Sequence, residues 1–140
     1  MNLTEAREYF AADRFATEAC GITIEEKEPG GALCRMALSP LLANALGNPQ
    51  GGAIFTLADF AFAVASNSRE KVVVSLSNNI SFLRPPKGQA LYARAKELSA
   101  TRQTVLYEVA VTDDAGTLVA VMTVNGFRRP IAQGGPENSV

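Results

Sequence analysis

Apolar positions change their period once along this chain, and the change divides it into two kinds of element. Asn2-Leu3-Thr4-Glu5 places a capping residue three before a glutamate, and Ala6, Tyr9, Phe10 and Phe15 follow at roughly helical spacing. One or two short N-terminal helices are expected. Residues 21–28 and 32–38 flank Pro29-Gly30-Gly31, and the second run alternates apolar with other residues, which predicts a hairpin. Residues 39–50 carry Pro40, Gly47 and Pro49 among small polar residues and are expected to form a loop. The run GGAIFTLADFAFAVAS that follows is apolar on nearly every side of a helix. Beyond it, residues 72–82, 90–98, 104–112 and 118–128 are rich in Val, Leu, Tyr and Thr and predict four strands, separated by turn-forming or polar clusters.

The order helix, two strands, long helix, four strands predicts an α+β fold over residues 1–130 as one domain. In it an antiparallel curved sheet wraps around the central helix, with a short helix at the N terminus. Residues 131–140, with Gly134-Gly135-Pro136, are expected to be a disordered tail. Ala58, Ala61 and Ala65 recur at helical spacing and would let the helix lie close against the sheet. A curved sheet covers one side only, so the remaining apolar face predicts an oligomer or a ligand groove.

Composition narrows the chemistry. With 140 residues, the chain is long enough to bury a core without disulfides, and its formal net charge of −1 offers no footprint for nucleic acid or anionic lipid. Residues 52–66 fall short of the roughly 20 a membrane span needs, and a central Asp costs about 2.5–3.5 kcal/mol there. No membrane or nucleic-acid partner is expected. The chain has no histidine, and Cys20 and Cys34 lack CxxC spacing, so no transition-metal site and no Ser-His-Asp or Cys-His machinery is expected. The charged N terminus does not read as a signal peptide, and a cytoplasmic location with reduced cysteines follows as the expectation.

Two features of the long helix carry candidate chemistry. Gly51-Gly52 at its start would leave backbone N–H groups at the positive end of the helix dipole, where a carbonyl oxygen turning negative during acyl transfer can approach; the plain alternative is a tight turn. Asp59 stands among Phe55, Leu57, Phe60, Phe62 and Val64 and needs a partner, a proton or water in a cleft, a neighbouring hydroxyl such as Thr56 being one structural candidate. Gly51 and Asp59 are eight residues apart, about 12 Å along a helix. One small carbonyl cannot touch both. If they serve one reaction, each must come from a different subunit, with the two helices antiparallel across a twofold axis.

The run NALGNPQGGAIFTLADFAFAVASNS, followed by SFLRPPKG after a predicted strand, resembles the hotdog-fold acyl-CoA thioesterases, specifically the phenylacetic acid degradation-related group of the 4-hydroxybenzoyl-CoA thioesterase superfamily. The likeness extends over about residues 21–127 in the order Asn, short loop, Gly-Gly, Leu-Ala-Asp, Phe-Leu-Arg-Pro. It implies a hotdog fold and hydrolysis of an acyl-CoA thioester by a homodimer or a tetramer of two such dimers, with no cofactor beyond the coenzyme A of the substrate. It also implies that the Gly51 N–H polarises the thioester carbonyl and that Asp59 of the facing subunit acts as nucleophile or general base. Asn44 would position the attacking water or the carbonyl, Ser75 would lie near the carboxylate, and Arg84 and Lys87 would meet the coenzyme A phosphates. Gln50 replaces the family's histidine; its amide can donate a hydrogen bond to the thioester oxygen but carries no charge near neutral pH. Gly52 would leave room for the substrate. Phe55 and Phe62, with Phe60, could line an aromatic or medium-chain acyl pocket or belong to the core. A non-catalytic acyl-CoA-binding module on the same fold is the rival reading. A hydratase on that fold ranks last, because such enzymes ordinarily rely on a histidine.

Overall fold

In a computed structural model that describes residues 1–130, helix α1 (Leu3–Phe10) leads through a short π-helical turn (Phe15–Ala19) to strands β1 (Ile22–Glu28) and β2 (Gly31–Ala37). Helix α2 (Gly51–Ser66) follows, then β3 (Lys71–Phe82), β4 (Ala90–Ala100), β5 (Thr104–Asp113) and β6 (Leu118–Pro130). The expected tail lies outside the described residues.

The capping box at the start of α1 forms as expected: Asn2 Oδ1 accepts from the Glu5 N–H at 2.9 Å and Glu5 reaches back to the Asn2 N–H. The hairpin also forms, with Glu28 opposite Gly31 and Gly30 at φ +72°, a conformation that glycine adopts without strain. Two boundaries move outward. A bulge between Glu97 and Ser99 lets β4 keep pairing with β5 up to Ala100, and β6 runs to Pro130 beside the start of β3. The 39–50 segment is a loop with internal order: a 3₁₀ turn over Pro40–Leu42 and an Ala43–Pro49 bridge.

All six strands pair antiparallel in the order β1-β2-β4-β5-β6-β3, one sheet with α2 packed chiefly across β2 and β4. The core lies between them: Leu57, Ala58, Ala61 and Val64 of the helix are fully buried, as are Met36, Leu91, Val109, Met122 and Val124 of the strands. The far end of α2 is closed by polar groups. Lys27 Nζ donates to the carbonyls of Ala65 and Asn67, and the Asn67 amide donates to Ala63 O at 2.9 Å.

The sheet's two edges differ. Along β1, Arg7 of α1 donates from Nε and Nη2 to Ile24 O at 2.9 and 2.7 Å, so a helix and its guanidinium blunt that edge. Along β3 no described strand pairs with the outer edge. A bulge between Ser75 and Ser77 leaves Leu76 without a partner on β6 and 68% exposed. Ser75, Asn78 and Ile80 sit opposite Gly126, Val124 and Met122 of β6, which are buried, yet Ser75 and Asn78 are exposed. The chain's own helix therefore leaves the β3 side of the concave face bare.

One turn does more than the sequence suggested. Asp113, read from sequence only as part of a turn, is 4% exposed and accepts backbone N–H groups from Lys87 (2.7 Å), Gly88 (3.0 Å), Ala115 (3.0 Å) and Thr117 (2.7 Å). Asp114 accepts from Gln89 N at 2.8 Å. The β5–β6 turn thus clasps the Arg84-Pro-Pro-Lys-Gly segment. Burial alone would raise the Asp113 carboxyl, but the backbone donors outweigh it and hold the group far below the usual carboxylate range. Because the folded value is depressed, its stabilisation is present above the unfolded value of about 3.9 and is lost as pH falls toward the folded one. Asp113→Asn should lower the thermal midpoint at pH 7, and the gap from the parent should narrow below about pH 4. A constant gap in a pH series of melting curves would contradict this.

Candidate active site

The site begins at the first turn of α2. Gln50 is the N-cap, with φ −64° and ψ 135°, and its Oε1 accepts the Gly52 N–H at 2.6 Å. A Cβ at position 52 would lie 2.7 Å from that oxygen, so Gly52 makes room for the cap itself. Gln50 is therefore committed through its oxygen to the helix start. The Gly51 N–H accepts no such arrangement: it has no acceptor among the described residues. A Cβ on Gly51 would stand 3.4 Å from the Phe82 ring, so the bare glycine lets that ring close over the helix end.

Gly51 opens on a cavity of about 330 Å³, whose wall includes Asn44, Asn48, Phe82, Leu83 and Arg84. Asn44 Oδ1 accepts from Leu46 N (2.9 Å) and Asn48 N (3.1 Å), and Gly47, at φ +86°, allows the chain to turn back. The Asn44 oxygen builds the loop, and its amide NH₂ remains as a donor beside the cavity. A neighbouring cavity of about 410 Å³, behind the same loop, shares Asn48, Pro49 and Pro86 with the first but contains neither Gly51 nor Asn44. The first is the candidate site.

Asp59 is elsewhere. With Gly52, Phe55, Thr56 and Ala63 it lies on the one stripe of α2 that is not buried, and it does not reach the cavity at the helix start. It makes no hydrogen bond or ion pair among the described residues. The Thr56 hydroxyl, the structural partner considered from sequence, donates to Gly52 O at 2.7 Å instead. Burial, and then the nearby negative charge of Asp13, raise the Asp59 carboxyl above the usual value. A carboxylate so placed is an unpaired base on an open helix face.

The structure brings Asn44, Gly51 and Arg84 to one cavity and leaves the other expected site residues outside it. Phe55 is half-buried on the open stripe beside Asp59, and Ser75 is exposed on the bare part of the concave face. The Lys87 side chain is exposed while its N–H serves Asp113. Phe62 is a correction: it is 2% exposed, its ring set edge-on against Tyr107 at 5.2 Å, and it packs in the core instead of lining an acyl pocket. Phe60 is likewise core, edge-on to Phe10 at 5.8 Å. Phe82 and Leu83, 53% and 47% exposed, are wall residues that the sequence reading quoted only as part of a motif. Both cysteines are buried and free; Cys34 is pushed up to about 12, first by burial and then by Glu25, so it does not offer a thiolate.

These features can be set beside known proteins. A profile of the family described as thioesterase superfamily matches residues 47–120, from the loop before α2 to β6. The acyl-coenzyme A thioesterase PaaI of Escherichia coli is 33% identical over 112 residues, spanning 79% of this chain and 80% of that one. The chain belongs to the thioesterase superfamily. A putative esterase of Archaeoglobus fulgidus is 34% identical over 106 residues, 75% of this chain and 69% of that protein. The solved structure of E. coli PaaI, from the phenylacetic acid degradation operon, superposes with a TM-score of 0.79 at 28% identity, over 91% of this chain and 96% of the other. A Thermus thermophilus protein superposes with a TM-score of 0.74 at 35% identity, over 80% and 95%. The six-stranded sheet around α2 is the hotdog fold of this superfamily, as the sequence resemblance implied, and membership carries the reaction class, thioester hydrolysis.

Proposed function

We propose that the protein hydrolyses acyl-CoA thioesters to a carboxylic acid and coenzyme A, as a dimer that pairs two β3 edges and sets two α2 helices antiparallel. The observation that carries this is the separation on one chain of an unpartnered N–H at Gly51, in a cavity, from an unpaired carboxylate at Asp59, on an open stripe. The bare edge and concave face at β3 supply the surface on which a second copy would bring them together.

In this reading the thioester oxygen accepts from the Gly51 N–H, at the positive end of the helix dipole. The Asn44 amide is a second donor beside it. The partner subunit's Asp59 either takes a proton from water as the water attacks the carbonyl carbon, or attacks that carbon itself to form a mixed anhydride that water then opens. In both routes the C–S bond breaks, the thiolate leaves and is protonated, and the acid keeps the oxygen derived from water. A thiolate is a good leaving group, so no strong general acid is required. Gln50 contributes as a neutral cap, with Gly52 making room for it. Phe55 and Ser75 flank the carboxylate from the helix stripe and the concave face, Arg84 meets phosphate, and Lys87 lies exposed on the same segment. No cofactor beyond the coenzyme A moiety takes part, and the buried thiols suit a reducing cytoplasm. Two such dimers back to back would make a tetramer.

Release of free thiol from a panel of aryl-, short- and medium-chain acyl-CoAs tests the activity. Turnover on at least one class is expected, with aryl substrates included because the PaaI relative comes from a phenylacetic acid operon. Tight acyl-CoA binding with no thiol released from any of them would favour the non-catalytic module instead.

A further inference from the structure

Away from the α2 cavity, the start of β3 and the end of β6 pair side by side, Lys71 opposite Pro130 and Val73 opposite Arg128, with the β4–β5 turn lying against them through the Arg128 N–H to Gln103 O bond of 2.7 Å. This packing gathers Lys71, Arg102, Arg128 and Arg129 around a cavity of about 240 Å³ with no carboxylate in its wall among the described residues. Four of the chain's 13 Lys and Arg side chains thus converge on one small hollow in a protein whose net charge is −1. Neither Lys71 nor Arg102 forms an ion pair among the described residues. Arg128 donates from Nη2 to Thr101 O, while its Nε–H is buried without an acceptor among the described residues. Like charges so close repel, and an unsatisfied buried N–H is unfavourable; an anion with several oxygens relieves both.

On its own chain this cavity stands at the opposite end of β3 from Phe82, about 36 Å away along the strand. Antiparallel pairing of two β3 strands about the exposed stretch near Ser77 reverses that relation, because it brings the partner subunit's Lys71 beside Phe82 and Arg84. We infer that the Lys71–Arg102–Arg128 cavity of one subunit binds the phosphates of the nucleotide half of coenzyme A whose thioester lies at Gly51 of the other. The inference deepens the thioesterase reading and rests on its β3 pairing. The ligand chemistry is a nucleoside bearing phosphate groups on the sugar.

The test uses the K71Q/R102Q double variant, both positions being exposed, so that folding is not at issue. By titration calorimetry the parent should bind adenosine 3′,5′-bisphosphate, and the variant should bind it at least about tenfold more weakly, the loss expected for charge-assisted contacts. The Michaelis constant for an acyl-CoA should rise by a similar factor with kcat held, while the same acyl group on pantetheine, which lacks the nucleotide, is turned over as by the parent. Raising the salt concentration should weaken acyl-CoA use by the parent more than by the variant. Equal bisphosphate binding by parent and variant overturns the inference, as does an equal loss with the pantetheine thioester. Inorganic phosphate binding as tightly as the bisphosphate would also overturn it, in favour of a free-anion site. If neither thioester is hydrolysed by the parent but bisphosphate binding is lost in the variant, the anion site stands and the hydrolytic reading fails.

Discussion

Asp59→Ala abolishes measurable turnover, with a fall in kcat/KM of about 10²–10⁴ that matches the loss of a general base or a larger one if the carboxylate is the nucleophile. Fold and assembly survive, because Asp59 makes no hydrogen bond or ion pair among the described residues that its removal would break. The raised carboxyl adds two signatures. The parent's kcat/KM should climb with pH through a limb above the ordinary aspartate value of about 3.9, since only the ionised group can act as base. The stability effect has the opposite sign to that of Asp113. A carboxyl whose folded value is raised favours the folded state below the unfolded value, and that contribution is lost as pH rises through the folded value. At pH 7 the ionised Asp59 therefore destabilises, and Asp59→Asn should melt no lower than the parent while losing turnover. A thiol-release assay and melting curves on the same preparations decide it; parent-like turnover by either variant removes Asp59 from the mechanism.

Leu76→Glu yields a folded monomer without activity. Leu76 is unpaired at the β3 bulge and 68% exposed, so a charge there leaves the chain's own core intact. Across a twofold axis near Ser77 it sets two glutamates against each other at the edge where β3 would pair, and such juxtaposition costs several kcal/mol. Analytical ultracentrifugation should show the parent as a dimer or larger and the variant as a monomer. Mixing Leu76→Glu with Leu76→Lys should restore a heterodimer and turnover together, which a merely unfolded variant would not do. A Leu76→Glu protein that stays dimeric and active would move the interface away from β3.

How much of this was legible in the sequence depended on whether the signal was local. The capping box at Asn2, the Pro29-Gly30 hairpin and the strands read from alternation all rest on contacts a few residues apart, and all form where expected to within a few residues. The order of elements and the all-apolar helix sufficed for the fold, since such a helix needs a sheet around it. Asp59 stood out because an unpartnered charge among phenylalanines is costly to bury anywhere. The helix repeat alone separated it from Gly51.

Other features needed the tertiary structure, because they are made by residues distant in sequence. Nothing local distinguishes Phe55, half-buried beside Asp59, from Phe62, seven positions on, whose ring lies against Tyr107 in the core. A turn aspartate at 113 gave no sign that it would gather N–H groups from residues 87 and 88, because those donors come from across the sheet. Four cations scattered over residues 71–129 become one cavity only when β3 and β6 pair. Likewise the sequence could require that some face of α2 remain uncovered, but which sheet edge is left bare follows from strand order: Arg7 occupies the β1 edge, and β3 is left open. Short-range periodicity thus determined the elements, the fold class and the odd carboxylate; long-range pairing decided which side chains share a wall and where a second copy can join.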